Sequence, residues 1–167
     1  MGVAIAVPEP FGSQLRERRA AFGDPLAATV PSHITLLAPT EVSTDRIDSV
    51  CSSLDRAGCL LPPFSMRLRG TGTFRPVSPV VFVAVSQGIS YTEMLARGVR
   101  THLGAPEPEF PFHPHVTVAH NLDDASLDRA YDDLADFACD FVVESFAMYL
   151  HDEHDGWVPQ HTFPLGP

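Results

Sequence analysis

Two stretches decide how this chain folds: Pro31-Ser32-His33-Ile34-Thr35-Leu36 and His113-Pro114-His115-Val116-Thr117-Val118. Each sets a histidine and a threonine two residues apart, with apolar residues between and after them. Side chains alternate faces along a strand, so residues i and i+2 point the same way. His33 and Thr35 then share one face while Ile34 and Leu36 enter a core. His115 and Thr117 stand in the same way opposite Val116 and Val118. Each stretch follows a helical pattern through a Pro-containing loop, and each is followed by a polar linker and an amphipathic helix. A faint internal repeat of this kind describes two similar halves.

The surrounding pattern alternates between the two periods. Val3 to Val7 is a short apolar strand closed by Pro8, and residues 10–22 carry a helix with Phe11, Leu15 and Phe22 on one face. Ile34 to Ala38 is a strand. Ser43-Thr44-Asp45 starts a helix that runs to about Gly58, with Ile47, Val50, Leu54 and Ala57 at helical spacing. Phe64, Met66 and Leu68 alternate with Ser65, Arg67 and Arg69, which predicts a half-buried strand. The turn at Arg75–Pro79 leads into the apolar strand Val80–Val85. A helix over 90–103 ends at Gly104. A strand follows from His115 to Ala119, then a helix opened by Asp123-Asp124 with Leu127, Ala130, Tyr131, Leu134 and Phe137 on its apolar face. Residues 140–150 and 157–163 are predicted as two strands around the polar turn 151–156, where Asp155-Gly156 is a hairpin signal. The order β-α-β-α-β-β-α-β-α-β-β predicts a mixed α+β layered fold. It has two pseudo-symmetric lobes of antiparallel-rich sheet, with outer helices, around a central cleft. Neither half is long enough for a comfortable core of its own, so residues 1–167 are expected to form a single bilobal domain.

Composition narrows the function. The 167 residues are 44% hydrophobic and 19% charged, enough apolar material for a core. Acidic residues outnumber basic ones 21 to 11, a formal charge of −10. A long duplex nucleic acid needs a basic footprint, which this balance opposes; a small anion held by a few groups is still allowed. All 11 basic residues are Arg. With no Lys there is no lysyl-adenylate, no Schiff-base lysine and no phosphate-loop lysine. Cys51, Cys59 and Cys139 are odd in number and lack metal-ligand spacing, and are expected to be buried free thiols. The first residues lack the pattern of a secretory signal, and no apolar run is long enough for a membrane helix. A cytoplasmic monomer away from membranes is therefore expected.

The His-x-Thr pair carries the chemistry. Imidazole is the side chain best suited to give and take protons near pH 7, and a threonine hydroxyl can donate to a phosphate oxygen. Two such units across a cleft supply a base behind an attacking water, an acid behind a leaving oxygen and donors for the non-bridging oxygens. These are the parts that phosphodiester hydrolysis needs, without a metal. A single His-x-Thr is a common accident of half-buried strands. Two copies in matching contexts are not.

The pair resembles the two-histidine phosphoesterase superfamily, and within it the 2′-5′ RNA ligase-like, or cyclic phosphodiesterase, branch. The resemblance spans VAIAVPEP at the start, PSHITLLAP, HPHVTVAH and the central GTGTFRPVSPVVFVAV. It implies His33 and His115 as the catalytic pair and Thr35 and Thr117 as the phosphate-binding hydroxyls. It also implies Phe74 as a stacking wall for a base. No metal and no cofactor is implied. The substrate would be a small cyclic phosphate nucleotide or short RNA end, opened by hydrolysis, with 2′-5′ ligation as the reverse reaction. Arg75 and Tyr149 are further candidates for substrate contact. Arg75 reads equally as an exposed turn residue, and Tyr149 and Trp157 as rim or core packing at the last hairpin.

Two other readings compete. A nucleotide-phosphate sensor would keep the cleft without turnover. A zinc-dependent hydrolase would use His113 with His115 and a third ligand from His120 or from His151, Asp152 and His154. Pro114 interrupts the start of that strand, and the 151–156 cluster is more simply a solvated turn.

Overall fold

A computed structural model describes residues 1–166. The elements in chain order are β1 (Gly2–Ala6), α1 (Phe11–Ala21), β2 (His33–Leu37), α2 (Ile47–Gly58), β3 (Phe64–Thr73), β4 (Val80–Gln87), α3 (Ile89–Leu103), β5 (His115–His120), α4 (Asp124–Asp133), β6 (Ala138–Val143), β7 (Ser145–Asp152) and β8 (Gly156–Pro164). Short 3-10 turns at Pro25–Ala28 and Thr44–Arg46 precede β2 and α2. The strands form two four-stranded antiparallel sheets, ordered β2-β1-β7-β8 and β5-β4-β3-β6. The two orders correspond element for element. Each His-x-Thr strand is the outer strand of its sheet and pairs with the strand that precedes it, across an intervening helix.

Burial follows the alternation in both motif strands. Ile34, Leu36, Val116 and Val118 are fully buried, whereas His33, Thr35, His115 and Thr117 are half-buried on the opposite faces. The core beneath them is continuous: residues of both sheets and of α1 to α4 belong to one buried apolar cluster. The helices are shared between lobes. Helix α1, which links β1 to β2, packs on β5, and α3, which links β4 to β5, packs on β2.

Local chemistry sets the joints. Asp123 caps α4, accepting from the Ser126 backbone N–H at 3.0 Å and from its hydroxyl at 2.9 Å. Gly104 ends α3 in the left-handed region at φ 64°. The turn before β8 forms as expected: the Asp152 carboxylate accepts from the backbone N–H groups of His154 and Asp155 at 2.8 and 3.0 Å. The Asp24 side chain is buried, accepts from the Leu26 N–H at 2.9 Å, and receives the buried Arg19 Nε at 2.8 Å. That pair anchors the 3-10 turn leading to Pro31 and His33.

Three expectations are corrected. The single strand expected over 140–150 is two strands that change sheets at Glu144: β6 pairs with β3, and β7 pairs with β1 and β8. An unbroken run of strand-forming residues hides this switch, because period and propensity are the same on both sides. Tyr131 is exposed rather than core-facing, and α4 stops at Asp133, so Leu134 and Phe137 lie beyond it. All three cysteines are free, but only Cys139 is buried; Cys59 sits just past the end of α2 and is exposed.

Gly58 closes α2 against β8. A Cβ there would meet the Pro164 carbonyl oxygen at 2.5 Å, so Gly58→Ala must push backbone against backbone. It is expected to cost about 1–3 kcal/mol, the usual range for overpacking. Gly98, inside α3, has only ordinary contact with Leu60 at 3.5 Å. Gly98→Ala is expected to stabilise by up to about 1 kcal/mol through helix propensity. Urea midpoints of the two variants, moving in opposite directions, are the check.

Candidate active site

The two motif strands approach within 8 Å Cα to Cα, yet belong to separate sheets and share no ladder. Their outward faces border the gap between the lobes, and His33 lies close enough to His115 for its charge to act there. Each histidine faces a small residue on its neighbouring strand: His33 is opposite Ala6 and His115 opposite Ala84. A larger partner would crowd the imidazole.

Both rings are held by the same device. His33 Nδ1 lies 2.7 Å from the Pro31 carbonyl oxygen, and His115 Nδ1 lies 2.7 Å from that of His113. A carbonyl can only accept, so each Nδ1 carries the proton and each neutral ring keeps its lone pair on Nε2. Burial pushes both imidazoles below their ordinary value of 6.5. The carbonyl bonds pull the other way, and the Arg19 charge adds to the lowering at His33. His113 and His33 add to it at His115, so the two motif histidines feel one another.

Both motif strands are bulged at the same place. The pairing register slips by one residue at Leu36 in β2 and at Val118 in β5, three residues after each histidine. In β5 the slip buries Val118 and Ala119 in succession and turns His120 outward. His120 consequently lines the same cavity as His33 and Thr35. Strict alternation would have sent it into the core, and only the bulge, which leaves no signature in the sequence, brings it round.

Two different walls flank the histidines. On the His115 side Phe74 lies edge-on to His115 with ring centroids 5.0 Å apart, and to His113 at 5.6 Å. Phe82 packs on Phe74 at 4.6 Å and on His115 at 5.1 Å. Arg75, next to Phe74, donates to Asp128 at 2.7 Å and to Asp124 at 3.4 Å, which ties the turn to the start of α4. On the His33 side a cavity of about 340 Å³ opens beside Thr35, walled by Leu26, Val30, Leu37, Tyr149 and Trp157. Tyr149 is buried there, and burial alone pushes its phenol up. Phe82, Trp157 and Arg19 were not singled out as site residues by sequence. The first two read as ordinary core or rim aromatics, and Arg19 as one charge on an amphipathic helix. Among the described residues no group of three or more His, Cys, Asp or Glu is placed to hold a metal ion; His113 and His115 pack on Phe74 and Phe82 instead.

Two antiparallel lobes that each lend a His-x-Thr strand to one gap define the two-histidine phosphoesterase architecture. A family model, that of the 2′-5′ RNA ligase superfamily, matches residues 7–155. The chain belongs to that superfamily. A protein of Bacillus cytotoxicus named "Putative phosphoesterase" is 31% identical over 86% of this chain and 84% of its own length. One of Geobacillus kaustophilus with the same description is 28% identical over 99% and 95%. Among solved structures, E. coli LigT complexed with 3′-AMP superposes with a TM-score of 0.70 at 22% identity, covering 98% of this chain and 96% of that one. TT0787 of Thermus thermophilus superposes at 0.67 and 24% over the same shares. These likenesses establish the fold.

The lowered imidazoles make stability depend on pH. A histidine whose folded value lies below its unfolded one binds fewer protons in the native state. Its contribution is present above about pH 6.5 and is lost as pH falls through the folded value. Melting temperatures measured from pH 7.5 to 5 are expected to fall more steeply for the wild type than for the His33→Gln/His115→Gln variant. Parallel curves would mean that neither imidazole is held neutral.

Proposed function

We propose that this protein is a metal-independent phosphoesterase that hydrolyses a 2′,3′-cyclic, or related cyclic, phosphodiester on a nucleotide or short RNA end. His33 and His115 act as acid–base pair, and Thr35 and Thr117 donate to the phosphate. The observation that carries the reading is the matched anchoring of the two rings, each with Nδ1 fixed on the carbonyl two residues upstream, which leaves Nε2 as the nitrogen for proton transfer.

The neutral ring takes a proton from water as the water oxygen bonds to phosphorus. The P–O bond on the far side breaks, and the protonated ring gives its proton to the departing ribose oxygen. The product is an open phosphomonoester. The two rings have exchanged protonation states and reset through solvent. Thr35 and Thr117 stabilise the negative charge that grows on the non-bridging oxygens. The same ring opening with a ribose 5′-hydroxyl in place of water, rather than the reverse of hydrolysis, would be 2′-5′ ligation: the P–O5′ bond forms as the P–O3′ bond breaks, which needs no ATP and accords with a chain that has no Lys. Phe74 and Tyr149 bound the substrate on its two sides, and Arg75 holds the Phe74 turn through Asp124 and Asp128. The domain that carries this chemistry is the whole bilobal chain, because its cleft takes one wall from each lobe. The names of the Bacillus and Geobacillus relatives and the nucleotide in the LigT complex support the same chemistry.

Assays on a panel of cyclic phosphates with excess chelator test the reading. Turnover is expected to survive EDTA; its loss would favour the zinc alternative. His33→Ala and His115→Ala are each expected to lower kcat by roughly 10²–10⁴, the usual worth of a proton-transfer group. The double variant should be little worse than the poorer single one, because acid and base act as a unit. Thr35→Val and Thr117→Val should lower kcat more than they raise KM. Wild-type rates in folded His33→Ala and His115→Ala would end the proposal. Saturable nucleotide binding without turnover would favour a sensor.

The pH profile has a sign. Activity of the free enzyme needs one ring neutral and one protonated, a state most populated midway between the two macroscopic values of the pair. Burial lowers both rings. The kcat/KM bell is therefore expected to peak on the acid side of about 6.5. An optimum above about pH 8 would contradict the assignment.

A further inference from the structure

The two lobes correspond strand for strand but differ at a position that the substrate would meet. Opposite Thr117, on β4, stands Phe82; opposite Thr35, at the equivalent place on β1, stands Ala4. Phe82 fills its side with a ring that lies over Gly72 and packs on Phe74 and His115. Ala4 fills nothing, and its side is the cavity of about 340 Å³. Ala4 lines that cavity beside Tyr149 and Trp157, and the small residues Gly2, Ala4 and Ala147 are what the two aromatic rings pack against. Trp157 is held in place by its backbone N–H, which donates to the Thr29 carbonyl at 3.1 Å. The cavity therefore has a broad, fixed aromatic face, aliphatic sides from Leu26 and Val30, and contact with His33 and Thr35.

Charge points the same way. None of the eleven Arg lines the cavity, the chain has no Lys, and its net charge is −10. Arg75, on the other side of the gap, is already paired with Asp124 and Asp128. A second phosphate entering from either side finds no free cation among these groups. An uncharged flat group finds an aromatic wall and loses little solvation on entry.

We propose that the Ala4–Trp157 cavity is the subsite for the uncharged base of the substrate, and that the substrate is a single cyclic nucleotide rather than the end of an RNA chain. This rests on the phosphodiesterase reading and narrows it. The phosphate lies between the histidines, the base lies against Trp157 on the His33 side, and the Phe74–Phe82 side is closed to a second base. A longer chain adds phosphates that nothing holds.

The experiment has two readouts. The first compares kcat/KM for adenosine 2′,3′-cyclic phosphate, for an oligoribonucleotide ending in the same group, and for the cyclic phosphate of ethylene glycol. The oligonucleotide should be no better than the mononucleotide, with little dependence on salt. Trp157→Ala, and Ala4→Phe, which copies the closed lobe, should each shrink the adenosine-to-ethylene-glycol ratio by roughly 5- to 150-fold, the range of a lost base–aromatic stack. The second uses Trp157, the one tryptophan of the chain. Its fluorescence should change saturably with adenosine 3′-monophosphate and not with ribose 5-phosphate, and Ala4→Phe should abolish the response. An oligonucleotide preferred tenfold or more with a steep salt dependence would overturn the proposal while leaving the phosphodiesterase standing. An unchanged ratio in both variants would do the same. No turnover of any cyclic phosphate, with the fluorescence response intact, would sink the enzyme reading but keep the subsite; loss of both would sink both.

Discussion

Helix α1 leaves its own lobe to lean on β5, and α3 does the same for β2. Each motif strand is thus backed by the helix that belongs to the other. Because both strands are the outer members of their sheets, nothing but this exchange and the shared core fixes their separation. Had β2 and β5 paired, the two sheets would have merged into one and the gap would have closed. Held near each other but unpaired, they leave a gap bordered by both edges. The carbonyls of Pro31 and His113 then aim the rings, and small residues at Ala6 and Ala84 give them room.

The parts of this arrangement that are written in short-range pattern were legible in the sequence. The alternation around His33 and His115 gave the faces of β2 and β5, the Asp123 cap placed α4, and Asp155-Gly156 placed the last hairpin. The pairing of the two motifs suggested the cleft. The parts that depend on long-range pairing were not legible. A run such as residues 138–152 looks the same whether it stays in one sheet or changes sheets at Glu144. The bulge at Val118 decides that His120 faces the cavity, and it is set by how β5 lies against β4. Trp157 looks like any rim aromatic until β8 is placed beside β7. Arg75 is half of an ion-pair set whose other members lie on α4, so its neighbours in sequence say nothing of its partners.

The electrostatics of the site are spare. Where many phosphate sites rely on lysine and arginine, this gap offers two imidazoles kept close to neutral by burial, two hydroxyls and a remote, buried Arg19 already shared with Asp24. Such a site gains little from long-range attraction and much from geometry. On the proposed reading, its selectivity would come from the contrast between Phe82 opposite Thr117 and Ala4 opposite Thr35, one filled wall and one open one.

The crossing at Glu144 has a consequence for how the chain is made. Sheet β5-β4-β3-β6 is drawn from one uninterrupted segment, while sheet β2-β1-β7-β8 joins the first strands to the last. During synthesis the segment around His115 can assemble as soon as β6 emerges. Strands β1 and β2, made first, must wait for β7 before their sheet can close. Contacts between such distant parts of a chain form slowly, and a waiting strand pair with a bare edge invites wrong partners. In the lobe that bears the open wall, a product truncated before β7 would therefore leave one edge of β1 unpaired.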